Sequence, residues 1–171
     1  MRGGQTHRRR LPAAGGPGSP GPGSRRPRGA LTEHLFQAAA SLQGRQFADQ
    51  CDLLLRTSGF QLGGAVQLSG LGIEIDREAV SSHGRTIWFE YKGSVQGSRP
   101  GLMRTDTLKK AIANGALLRA MEDRPPFVVL TSHLPEAGAG LAMLARAREL
   151  GYLDDVICIY RPGDTGRLRL L

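Results

Sequence analysis

The stretch TIWFEYKGS, Thr86–Ser94, decides how this chain is read. Ile87-Trp88-Phe89 has the β-branched and aromatic content of a strand, and it runs directly into Glu90-Tyr91-Lys92. Side chains alternate along a strand, so Glu90 and Lys92 share one face and Tyr91 takes the other. A carboxylate and an ammonium two residues apart beside a hydrophobic core have two readings. They are a solvated ion pair on an exposed sheet face, which contributes little, or they belong to a catalytic constellation.

The flanking sequence supplies the frame. Upstream, GIEIDREAV (72–80) alternates, with Ile73 and Ile75 on one face and Glu74 and Asp76 on the other. SSHGR (81–85) is a turn signal, so these two strands are predicted to form an antiparallel hairpin. AVQLS (65–69) is a weaker strand. Residues 31–59 read as a helix. Leu31, Leu35, Ala38, Ala39 and Leu42 recur at helical spacing, Phe47, Cys51, Leu54 and Leu55 continue the face, Thr32 is the predicted cap and Gly59 the end. Downstream, Gly97–Gly101 is a loop and TDTLKKAIANGALLRAM (105–121) a helix. Thr105 or Asp106 caps that helix, and Leu108, Ile112 and Leu118 face inward. Phe127–Leu130 is continuously apolar, as in a strand buried on both faces. AGLAMLARARELG (139–151) is a third helix and DDVICIY (154–160) a final buried strand. The order is helix, three strands, helix, strand, helix, strand. It predicts an α/β fold, a mixed sheet flanked by helices on both faces.

Composition bounds the rest. The chain has 171 residues, 40% hydrophobic and 22% charged, enough for one domain with a real core. No apolar run approaches the roughly 18 residues that span a bilayer, so no membrane association is expected. Cys51 and Cys158 make no metal-ligand cluster, and two lone cysteines suit a reducing cytoplasm, a single bridge between them being the alternative. The formal net charge is +8, and residues 1–28 carry seven arginines and no acid, which leaves +1 for everything after them. Residues 1–29 are therefore predicted to be a disordered basic Gly/Pro/Arg-rich tail, and 30–171 the folded domain. Such a tail holds a polyanion through counterion release.

A phosphodiester hydrolase needs oxygen ligands for a hard divalent cation, a nucleophile generated from water, and a cation beside the developing charge. Asp76 and Glu90 on adjacent strands, the Tyr91 carbonyl and Lys92 supply those parts. At these residues the sequence resembles the PD-(D/E)xK nuclease superfamily, whose pattern is an Asp on the second core strand and Glu-x-Lys on the third. The Asp stands in Gly72-Ile73-Glu74-Ile75-Asp76 and the Glu-x-Lys is Glu90-Tyr91-Lys92. Ile75 precedes Asp76 where the superfamily pattern has Pro.

The resemblance covers roughly residues 30–160. It implies a restriction-endonuclease-like αβββαβ core and a Mg²⁺-dependent endonuclease acting on DNA, with Mn²⁺ as a substitute metal. Asp76, Glu90 and Lys92 would be catalytic, with Asp76, Glu90 and the Tyr91 carbonyl as metal ligands. Glu74 shares a predicted face with Asp76 and competes for its role. The superfamily often adds an acid from the first helix, for which Glu33 stands first and Asp49 and Asp52 behind it. Arg99, Arg104, Lys109 and Lys110 are placed to contact DNA phosphates, the alternative being solvated loop and helix positions. His133 follows a buried strand, either as a loop residue or at the edge of the site. His83 belongs to the surface, and Trp88 and Phe89 to packing. Cleavage of both strands favours a homodimer by symmetry. The rival reading is a catalytically inactive nucleic-acid-binding or structural protein on the same fold.

Overall fold

The structure, a computed structural model, describes residues 28–94 and 100–171, with the backbone alone described for 28–38 and 40. The basic tail up to residue 27, Arg99 and the side chain of Glu33 lie outside the described residues.

The first helix, α1, spans Arg28–Thr57. It starts before Thr32, which is therefore an internal residue and not its cap. Phe47, Cys51 and Leu55, spaced by four, form its buried stripe. Leu42 is 51% exposed, so among the described residues the inward face begins at Phe47; the side chains of Leu31, Leu35 and Ala38 lie outside them. Gly59 ends the helix at φ +94°. Its N–H bonds the Arg56 carbonyl at 3.1 Å and the Phe60 N–H bonds the Leu55 carbonyl at 3.0 Å, the paired closure of a Schellman motif.

Five short strands follow: β1 (Gln61–Leu62), β2 (Val66–Leu68), β3 (Ile73–Ile75), β4 (Arg77–Val80) and β5 (Thr86–Lys92). After them come α2 (Thr105–Arg119), β6 (Phe127–Thr131), α3 (Gly138–Glu149), β7 (Asp155–Cys158) and a short α4 (Pro162–Thr165). The main sheet has the order β1-β4-β5-β6-β7. The β1–β4 and β4–β5 pairs are antiparallel, and β5–β6 and β6–β7 are parallel. The predicted hairpin and the two parallel strands reached through helices are thus present.

Two further expectations need correction. GIEIDREAV is not one strand, because it breaks at Asp76. Before the break, β3 pairs with β2 in a separate two-stranded ribbon, and after it β4 joins the main sheet. The AVQLS strand therefore lies in the ribbon, and Gln61–Leu62 takes the edge of the main sheet. The reason is visible in the burial. Ile73 and Ile75 pack in one core layer and Ala79 in the opposite one, although strict alternation would put all three on one face. The bend at Asp76 switches the face. The second correction concerns α2, whose N-cap is Arg104 with no side-chain cap bond, so neither Thr105 nor Asp106 caps it.

The sheet is covered on both sides. Ile87 and Phe89 of β5, with Val128, Leu130 and Ile157, pack against Phe47, Cys51 and Leu55 of α1. Trp88, with Phe127, Val129 and Val156, packs under Leu108, Ala111 and Leu118 of α2 and Leu144 and Ala147 of α3. All five residues of β6 are buried, which two covered faces require. Cys51 and Cys158 are free and buried. Among the described residues no helix is long and apolar enough to cross a membrane.

Phe47→Ala should lower the unfolding free energy by about 3–5 kcal/mol, since it opens a cavity under α1. Leu42→Ala, on the same helix but exposed, should stay within about 0.5 kcal/mol of wild type. Urea denaturation of both variants checks the start of the buried stripe. Equal losses would contradict it.

Candidate active site

The β4–β5 ladder runs from Val80↔Thr86 to Arg77↔Phe89. One further step brings Asp76 opposite Glu90, where the chain bends out of the sheet. At that step the Tyr91 N–H donates to Asp76 Oδ2 at 2.6 Å, so a side chain takes the place of a ladder carbonyl. In an extended strand the N–H and C=O of one residue point the same way, so the Tyr91 carbonyl lies on the side of Asp76.

Glu90 sits on the α2 face of β5 and is 2% exposed. Lys92, two residues along the same face, forms an ion pair with its Oε1. Asn114 of α2 donates through Nδ2 to that same Oε1 at 3.2 Å. Oε2 is buried without a hydrogen-bond partner among the described residues. Burial raises the Glu90 carboxyl above its ordinary range; the Lys92 ammonium pulls it back, Asp76 adds to the rise and Lys110 opposes it. The Lys92 carbonyl accepts from the Thr131 hydroxyl at 2.7 Å, which ties the end of β5 to β6. Gly101 packs on the same corner at φ +61°, where a Cβ would meet Thr131 Oγ1 at 2.6 Å.

The opposite face holds a clamp. Arg77 grips Asp52 of α1 with two bonds, Nε to Oδ1 at 3.0 Å and Nη2 to Oδ2 at 2.7 Å. The Tyr91 hydroxyl donates to Asp52 Oδ1 at 2.7 Å. Arg77 adjoins Asp76 and Tyr91 adjoins Glu90, so the clamp fixes the backbone beside both carboxylates. Asp52 is thereby committed to the α1 side.

Of the predicted residues, Asp76, Glu90, Tyr91 and Lys92 come together, and the charge of Lys110 reaches Glu90. Lys109 instead lines a groove between α2 and α3 with Ile112, Met143 and Tyr152. Glu74 is exposed on β3 opposite Gln67. Asp49 and Arg104 are exposed. His83 is exposed in the hairpin turn, and the exposed His133 ring meets Tyr160 edge-on at 6.2 Å. Asn114 escaped the sequence reading. Its signal is its position four residues after Lys110, which places both on one helix face.

Among the described residues no third His, Cys, Asp or Glu joins Asp76 and Glu90. Two carboxylates and a carbonyl still fit Mg²⁺, which is held through one or two carboxylates and keeps water or phosphate oxygens for the rest of its shell. The unpartnered Oε2 of Glu90 is the observation that fits a cation.

In metal-free protein the raised Glu90 carboxyl sets a sign. Its contribution to stability is fully present below the unfolded-state value and is lost as pH rises through the folded-state value. Glu90→Gln lacks this dependence, so its urea midpoint should gain on that of wild type as pH rises through that window. A difference independent of pH, or one moving the other way, would contradict the burial penalty. No family model matches this chain, and no curated protein or solved structure does either.

Proposed function

We propose that this chain is a divalent-metal-dependent endonuclease that hydrolyses phosphodiester bonds in DNA, on a restriction-endonuclease-like αβββαβ core. The observation that carries the reading is the meeting of Asp76 and Glu90 at the bend, with Lys92 on the same face and Glu90 Oε2 buried and unpaired. A buried carboxylate oxygen without a partner costs free energy, and a cation that takes it removes that cost. The antiparallel β1-β4-β5 array followed through α2 by a parallel β6 supports the core assignment.

Asp76, Glu90 and the Tyr91 carbonyl would hold Mg²⁺ or Mn²⁺. Such an ion lowers the pKa of water and polarises a phosphoryl oxygen. Lys92 directs its ammonium at the attacking water and at the charge that develops on the phosphate. Lys110, exposed on α2 beside Glu90, contacts a DNA phosphate and so contributes affinity without sequence preference. One observation favours the rival, a nucleic-acid-binding protein that does not cleave. Lys92 is engaged with Glu90, so the acid and the cation satisfy one another in the metal-free state.

Nicking of supercoiled plasmid by the purified chain in Mg²⁺ separates the two. Asp76→Ala and Glu90→Ala should each lower the rate by roughly 10²-fold or more while the protein stays folded. Lys92→Ala should keep metal binding and lose turnover, and Lys92→Arg should not restore it, because a planar fork replaces a compact ammonium. DNA binding by wild type without nicking at any Mg²⁺ or Mn²⁺ concentration would favour the rival.

Equilibrium binding to duplexes of several sequences tests the helix. Lys110→Ala should weaken all of them uniformly by several-fold, and Lys109→Ala should leave them unchanged. Equal effects would contradict the placement of Lys109 in the α2–α3 groove.

A further inference from the structure

Two donors converge on one oxygen of Glu90. The Lys92 ammonium and the Asn114 amide both reach Oε1, and among the described residues Oε2 is left buried without a partner. This asymmetry needs α2 to approach the sheet closely. Gly115, the next residue, lies against the Tyr152 carbonyl so tightly that a Cβ there would overlap it. The bare backbone at Gly115 thus lets α2 seat closely on the loop before β7, one residue from Asn114.

We infer that Asn114 is a positioning residue for Glu90: by holding Oε1 it presents Oε2 to the cation. The inference rests on the metal reading of the site. A glutamate has three rotatable side-chain bonds, and fixing them before the metal arrives removes that ordering from the binding step. An amide suits the task because it is neutral. It orients the carboxylate without cancelling the negative charge that attracts the ion, as a second ammonium would. Lys92 cannot do this alone and also turn to the substrate, so the lasting hold on Oε1 falls to Asn114. Loss of a partner that orients a ligand in this way typically costs roughly 10–100-fold in metal affinity.

Calorimetric Mg²⁺ titration of the full chain tests the inference on Asn114→Ala and Asn114→Leu, the second keeping bulk without a donor. Both should weaken Mg²⁺ binding by roughly 10–100-fold. Leu117→Ala, an exposed change three residues along α2, should leave the affinity unchanged. Wild-type affinity in both Asn114 variants would overturn the inference and leave the metal site standing. Loss in Asn114→Ala with wild-type affinity in Asn114→Leu would also overturn it, since bulk and not the donor would then matter. Failure of wild type to bind either Mg²⁺ or Mn²⁺ would overturn the metal reading and this inference with it.

Discussion

A carboxylate buried in the middle of a sheet is the constraint on which the rest depends. Glu90 lies on β5, with β4 on one side and β6 on the other, and almost none of it reaches solvent. An unpaired charge in that position is unfavourable, so the surrounding chain is arranged to meet it. Lys92 arrives from the same strand and Asn114 from α2, but both take one oxygen. Asp76 stands across the ladder and adds a second negative charge where a positive one would relieve the first. Two acids held together, one with an oxygen unmet among the described residues, repel one another, and this is the observation on which the proposed metal site rests.

The two layers of the fold divide the work. The α1 side is a scaffold, in which Asp52, Arg77 and Tyr91 lock helix to strands directly behind the two carboxylates. The α2 side holds the candidate site, with Glu90, Lys92, Asn114 and Lys110 converging on one region. Alternation along β5 makes this division possible, because Tyr91 faces the clamp while its neighbours face the site. The bend at Asp76 completes it. Had β3 and β4 been one continuous strand, Ile75 and Ala79 would lie on the same face. They are instead buried in opposite core layers.

Much of this was legible in the sequence because it is written in local period. The faces of β5, the hairpin through Ser81–Arg85, the doubly buried β6 and the stripe of Phe47, Cys51 and Leu55 follow from spacing alone. What was missed depends on contacts distant along the chain. Nothing in GIEIDREAV marks the bend, since the pattern continues through it and only the tertiary packing of Ile75 and Ala79 requires opposite faces. The edge strand Gln61–Leu62 has two residues, too few to carry a period. Lys109 and Lys110 are adjacent, and only the seating of α2 separates the groove from the site. Asn114 is an ordinary helix residue until β5 places Glu90 beneath it. The N-terminus of α2 carried residues of capping type that the observed bonds do not use.

The most direct measurement is diffraction from crystals soaked in Mn²⁺, with data collected to locate the metal by its anomalous signal. One strong peak should appear at Asp76 and Glu90, with Oε1 of Glu90 still held by Asn114. A well-occupied peak elsewhere, or no peak at these carboxylates while Lys92 stays paired to Glu90, would contradict it.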